Sequence, residues 1–228
     1  MTNDQPAPAT LVIQDNVGVI TMDDGKVNAA SHQMLEALEL ALDQAEERAD
    51  AVVLAGREGT FCAGFDLKVM QGAGPEARTE LSARGGRLVH RLYGCPKPLV
   101  IAATGHSIAL GAVLLLTADV RVGADAGYKF GLNETAIGLS LPVFATALAK
   151  DRLSAAELTP AVVASRIYDA HGAARAGFLD KVVPEPDVVD TAVATARQLS
   201  QLPGEAYGAN KLAIREASLA EVAASLAL

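Results

Sequence analysis

LVIAATGHSIALGAVLLLTA, residues 99–118, runs for 20 residues without a charge, and its reading decides the fold. Its length alone would serve a helix crossing a bilayer. Its interior argues otherwise, because Thr104-Gly105-His106-Ser107 is a polar turn signature. A buried strand (99–103), a turn and a buried helix (109–117) explain the run better. Working outward, DVRVGA (119–124) reads as the next strand. Upstream, AVVLAG (51–56) is apolar throughout, as in strands covered on both faces of a largely parallel sheet. A helix is expected between them from Pro75 to Leu92. Further back, LVIQ (11–14) and VGVITM (17–22) flank Asp15-Asn16, a hairpin signal. Ser31 can cap a helix whose Met34, Leu35, Leu38 and Leu42 share one face. Beyond Pro142 the pattern is mainly helical, broken by FLDKVV (178–183), an expected edge strand. Alternating strands and helices define an α/β fold. Residues 1–9 read as a flexible tail, 10–165 as the core and 166–228 as a mainly helical C-terminal region.

Composition narrows the partners. Lys and Arg number 19 against 27 Asp and Glu, a net charge of −8, which argues against a nucleic-acid-binding face. Four Tyr, five Phe and no Trp leave little for base stacking. Cys62 and Cys95 are too few for a disulfide framework. His32, His90, His106 and His171 are scattered, so no metal site is expected. The opening MTNDQPAPAT is unlike a signal peptide, and a cytoplasmic, membrane-free protein is expected.

Four stretches stand out: GKVNA (25–29), FCAGFDL (61–67), GHSIALGA (105–112) and GLNETAIGLSLP (131–142). The second and third each follow a buried strand, contain glycine and lead into a helix. That arrangement leaves main-chain N–H groups free at a helix start. Two such loops face to face would make an oxyanion hole.

Together the four stretches resemble the crotonase superfamily, the enoyl-CoA hydratase/isomerase group, over about residues 10–185. The resemblance implies a ββα spiral with a helical C-terminal region, and a homotrimer or dimer of trimers. It implies an acyl-CoA thioester as substrate, with coenzyme A as part of that substrate and no separate cofactor. The thioester carbonyl would be held by the backbone N–H groups of Phe65 and Leu110. Coenzyme A would lie along Lys26, Asn28 and Ala29 and against Ala63, Asp66 and Leu67. Lys26 and Lys68 are candidate phosphate partners by charge.

The carboxylates bear on the reaction. A hydratase of this family uses two glutamates, and the positions matching them here are Glu134 and Val113. Valine transfers no proton. Shifting a double bond from β,γ to α,β needs one base that takes a proton at C2 and returns it at C4. YKFGLNETAIG (128–138) is also similar to the matching stretch of mitochondrial-type enoyl-CoA isomerases, in which the glutamate of GLNE is that base. An isomerase using Glu134 is therefore expected, with a hydratase or a non-catalytic acyl-CoA binder as alternatives. Asp119 and Arg121 read as structural, Asp66 also as a helix cap, and Cys62 as packing. A more distant alternative is a serine hydrolase. GHSIA (105–109) lies where a nucleophile elbow would, making Ser107 the nucleophile and His171 its base.

Overall fold

The computed structural model describes residues 7–72 and 74–228. Strands β1 (Ala9–Gln14) and β2 (Val17–Met22) form the expected antiparallel hairpin. Asp15 and Asn16 turn it with φ of 47° and 62°, a backbone region these two residue types tolerate well. β1 therefore starts at Ala9, within the stretch read as a tail; residues 1–6 of that stretch lie outside the described residues. Parallel pairing then adds β3 (Ala51–Ala55), β5 (Leu99–Ala103), β7 (Val120–Ala124) and β9 (Lys181–Val183), in the order β1-β2-β3-β5-β7-β9. β9 is the edge strand expected from FLDKVV, shortened to three residues.

The alternation of strand side chains explains why the central strands are apolar throughout. Val52, Leu54, Leu99 and Ile101 face a core closed by α1 (His32–Arg48), α3 (Gly74–Tyr93) and α4 (Leu110–Thr117). Ala51, Val53, Val100 and Ala102 face the other way, against Val188, Ala192 and Ala196 of α8 (Val188–Ser200). Both faces are covered.

The turn expected inside residues 99–118 is itself a strand. β4 (Gly59–Cys62), β6 (Gly105–Ile108) and β8 (Phe130–Gly131) form a second, three-stranded parallel sheet. The sequence runs repeatedly from a strand of the large sheet to one of the small sheet and then to a helix. This is the ββα spiral that the resemblance implied. No helix among the described residues is long and apolar enough to cross a membrane.

The short α2 (Leu67–Gly72) leads into α3. After β8 come α5 (Val143–Arg152), α6 (Ala155–Val162) and α7 (Ala170–Ala176). The long α9 (Gly204–Leu226) packs on α3 and α5. Its Lys211 and Arg215 are buried and reach back to Asp119 at 2.7 Å and 2.9 Å. Arg121 pairs with Asp180 in two bonds of 2.6 Å. Asp119 and Arg121 therefore serve the fold, as expected.

Candidate active site

The small sheet brings the second and third motifs together. β4 and β6 pair, and each ends in its glycine-containing loop. A Cβ on Gly64 would stand 2.9 Å from the Ala109 methyl and 3.8 Å from the Leu110 nitrogen, so the loops touch there. Gly64 has φ of 103°, and Gly111 lies against the Cys62 carbonyl, which a Cβ would approach to 2.0 Å. Both positions require glycine.

Each loop frees one N–H by its own geometry. The Ala30 N–H donates to the Gly64 carbonyl at 2.8 Å, and the Asp66 N–H donates to the Ala30 carbonyl at 3.4 Å. This is a parallel bridge centred on Phe65, which turns the Phe65 N–H away from Ala30. On the other loop, the Ala109 N–H donates to Gly131 at 3.0 Å, and α4 begins one residue later. Leu110 opens that helix, so its N–H lacks an intrahelical acceptor. Neither N–H donates to a group among the described residues. Ala109 makes the turn with φ 54° and ψ −122°, a conformation an alanine holds only under strain. The helix expected from Ala109 thus starts at Leu110, with Ala109 as its cap.

The fourth motif enters through β8, which pairs with β6. Glu134 lies three residues beyond Gly131 and opens a 3-10 turn over Thr135–Ile137. Its Oε2 is shut from solvent and has no hydrogen-bond partner, as does Oδ1 of Asn133. Burial pushes the Glu134 carboxyl above the usual carboxylate range, against the opposing pull of backbone N–H groups at 133 and 134. Val113, in contrast, is sealed within α4 at 1% exposure.

A cleft of about 720 Å³ opens beside the first loop. Lys26, Ala29, Ala63, Phe65, Asp66, Leu67 and Lys68 line it, and with them Asp23, Asp24 and Gln33. Seven of the sequence-selected residues thus share one wall. Asn28 does not: its amide is wholly buried and donates to the carbonyls of Met22, Thr60 and Phe61. Its Oδ1 accepts from the Asp24 N–H, so Asn28 ties the loop down and has no side-chain group left for a ligand. Asp66 caps α2, accepting from the Lys68 N–H at 2.8 Å. Arg57, which sequence reasoning passed over, holds the same loop through the Lys26 carbonyl at 2.7 Å and through Asp23. Only its distance in sequence hid it.

The serine hydrolase alternative fails on geometry. Ser107 is fully buried and donates to the Gly105 carbonyl, while His171 lies exposed beside Asp125. Cys62 is inert packing, its thiol pushed up to about 12 by burial. His106 lies in β6, its Nδ1 accepting from the Lys129 N–H.

Comparison with known proteins gives the family and the fold. The family model for enoyl-CoA hydratase/isomerase matches residues 12–227. A probable enoyl-CoA hydratase of Mycobacterium avium is 34% identical over 192 residues, 82% of this chain and 73% of its own. A solved apo enoyl-CoA isomerase of Mycobacterium tuberculosis, called a probable enoyl-CoA hydratase in a second solved structure, matches with a TM-score of 0.93 at 36% identity, covering 97% of this chain and 96% of that one. The human mitochondrial delta3-delta2-enoyl-CoA isomerase matches with a TM-score of 0.88 at 28% identity, covering 96% and 91%.

Proposed function

The chain belongs to the enoyl-CoA hydratase/isomerase family, and from that membership we propose that it converts β,γ-enoyl-CoA to α,β-enoyl-CoA with Glu134 as its one proton carrier. The observation that carries this reading is the contrast between Glu134 and Val113. Glu134 keeps a buried, unpartnered oxygen, whereas the position of a hydratase's other glutamate is an apolar side chain inside the core.

In this reading the thioester oxygen sits between the N–H groups of Phe65 and Leu110. Glu134 takes a proton from C2, and the charge of the resulting dienolate gathers on that oxygen, where the two donors are aimed. The same carboxyl then returns the proton at C4. A raised carboxyl pKa suits both halves of the cycle, since the base must also act as an acid. Lys26 and Lys68 on the cleft wall supply positive charge for the phosphates of coenzyme A. Ala29, Ala63, Asp66 and Leu67 supply the rest of that wall. Assembly into a trimer or dimer of trimers is part of the same reading: of Val162, Val163 and Ile167, Val162 packs against the core, and Val163 and Ile167 stand exposed for a neighbour.

The test is a panel of β,γ- and α,β-enoyl-CoA thioesters, followed for both isomerisation and hydration. Isomerisation with little hydration is expected. Efficient hydration of the α,β substrates would sink the one-glutamate reading, and acyl-CoA binding without turnover would favour a non-catalytic binder.

A further inference from the structure

Two adjacent glycines, Gly85 and Gly86, lie buried in the middle of α3. Each weakens a helix relative to alanine, so each needs a reason. Gly86 has one in the packing of α3 against its neighbours. A Cβ there would stand 2.8 Å from Phe144 of α5 and 2.9 Å from Leu226 of α9.

Gly85 serves a different partner. A Cβ there would come within 2.5 Å and 2.6 Å of Cε1 and Cζ of Phe65, and 3.6 Å from Cδ2 of Leu110. The side chains of the two residues whose N–H groups are free therefore meet at one notch in a single helix. Their backbones are held separately, Phe65 through Ala30 and Ala109 through Gly131. The loops otherwise touch at Gly64 and Ala109. The notch is a further shared contact, fixed to a rigid element.

We propose that Gly85 is a positioning residue for the oxyanion hole: by seating the Phe65 ring against Leu110, it sets the spacing of the two N–H donors. The proposal rests on the reading of those N–H groups as thioester donors. A methyl at position 85 would drive the ring outward by about 1 Å, from 2.5 Å toward ordinary contact near 3.4 Å. The displaced atoms are the far edge of the ring, so the proposal requires that part of this shift reach the Phe65 N–H. A displacement of about 1 Å at a reacting centre costs up to about 100-fold in rate.

The test compares Gly85→Ala, Phe65→Leu and the double variant with the unaltered protein. Two quantities are read: kcat and KM for β,γ-enoyl-CoA, and the ultraviolet band of a bound aryl-conjugated enoyl-CoA, which moves to the red when its carbonyl is polarised. Gly85→Ala should lower kcat by about 10–100-fold with KM within about twofold, and shrink the red shift. Phe65→Leu, which leaves the notch part-empty, should also shrink it. The double variant, in which the added methyl meets the smaller side chain, should recover most of the shift and of kcat. An unchanged shift and kcat in Gly85→Ala overturns the proposal. If that variant does not fold, the same result in Phe65→Leu overturns it. Unaltered protein that binds the probe without any shift defeats the oxyanion reading itself, and the proposal with it.

Discussion

Asp119 and Glu134 are both largely buried carboxylates just beyond apolar segments, and the structure treats them in opposite ways. Both oxygens of Asp119 are engaged. Oδ2 accepts from the Leu99 N–H at 2.8 Å, the Tyr207 hydroxyl at 2.8 Å and Lys211 at 2.7 Å, and Oδ1 accepts from Arg215 at 2.9 Å. Glu134 has an oxygen shut from solvent with no protein donor. A buried carboxylate supplied with cations and donors holds elements together. One that lacks them at an oxygen raises the free energy of the fold, which makes it a candidate for another role. The contrast supports the proposed role of Glu134 without reference to any relative.

The contrast can be broken most sharply by removing Glu134's basicity while keeping its shape. Glu134→Gln should lower the isomerisation rate by about 10²–10⁴-fold, the usual worth of a general base. Acyl-CoA affinity, read by calorimetry, should change little, because the N–H groups of Phe65 and Leu110 are untouched. A rate that survives the change refutes the assignment. Asp119→Ala should do the reverse. It strands Lys211 and Arg215 without their counter-charge, at an expected cost of about 3–5 kcal/mol in denaturant unfolding, with activity per folded molecule retained.

A finer test uses pH. Because the folded-state pKa of Glu134 is raised, its carboxyl is protonated in both states below the ordinary carboxylate range, and no ionisation penalty exists there. As pH rises through the folded pKa, ionisation burdens the native state. Glu134→Gln should therefore be more stable than the unaltered protein at neutral pH by on the order of 1 kcal/mol, with the gain fading in acid. Equal melting temperatures at all pH values would mean that the carboxylate finds a partner in solution. In the unaltered enzyme, kcat/KM should fall on acidification with an inflection above the ordinary carboxylate range. The smallest effect belongs to the cleft. Lys26→Ala and Lys68→Ala, both at exposed positions, should each raise KM by roughly 2–5-fold, and less so at high salt.

Much of this was legible in the sequence wherever the signal was local. The Asp15-Asn16 hairpin, the all-apolar β3 and β5 and the Ser31 cap each announce themselves within a few residues. The small sheet does not. Its strands GTFC, GHSI and FG are too short to show alternation, and their pairing lies between segments far apart in the chain. GHSI accordingly read as a turn. Asn28 read as a ligand contact through the resemblance alone, whereas the positive φ of 51° at that residue accompanies an inward-pointing amide. Asp119 read as structural, but nothing near it named Lys211 or Arg215. Gly85 and Gly86 looked like flaws in a helix until their neighbours were visible.

The fastening of Asp119 also sets a timetable. Arg215 is separated from it by 96 residues. At 5–20 residues per second, a growing chain spends roughly 5–20 s between making the acid and making the base that neutralises it. Throughout that interval the apolar α4 has been synthesised, and the helix that clamps its C-terminal end has not. Parallel pairing over long loops is slow in any case. The nascent protein therefore carries its most hydrophobic segment incompletely secured until α9 has been made, a window in which chaperone capture and aggregation compete with native closure.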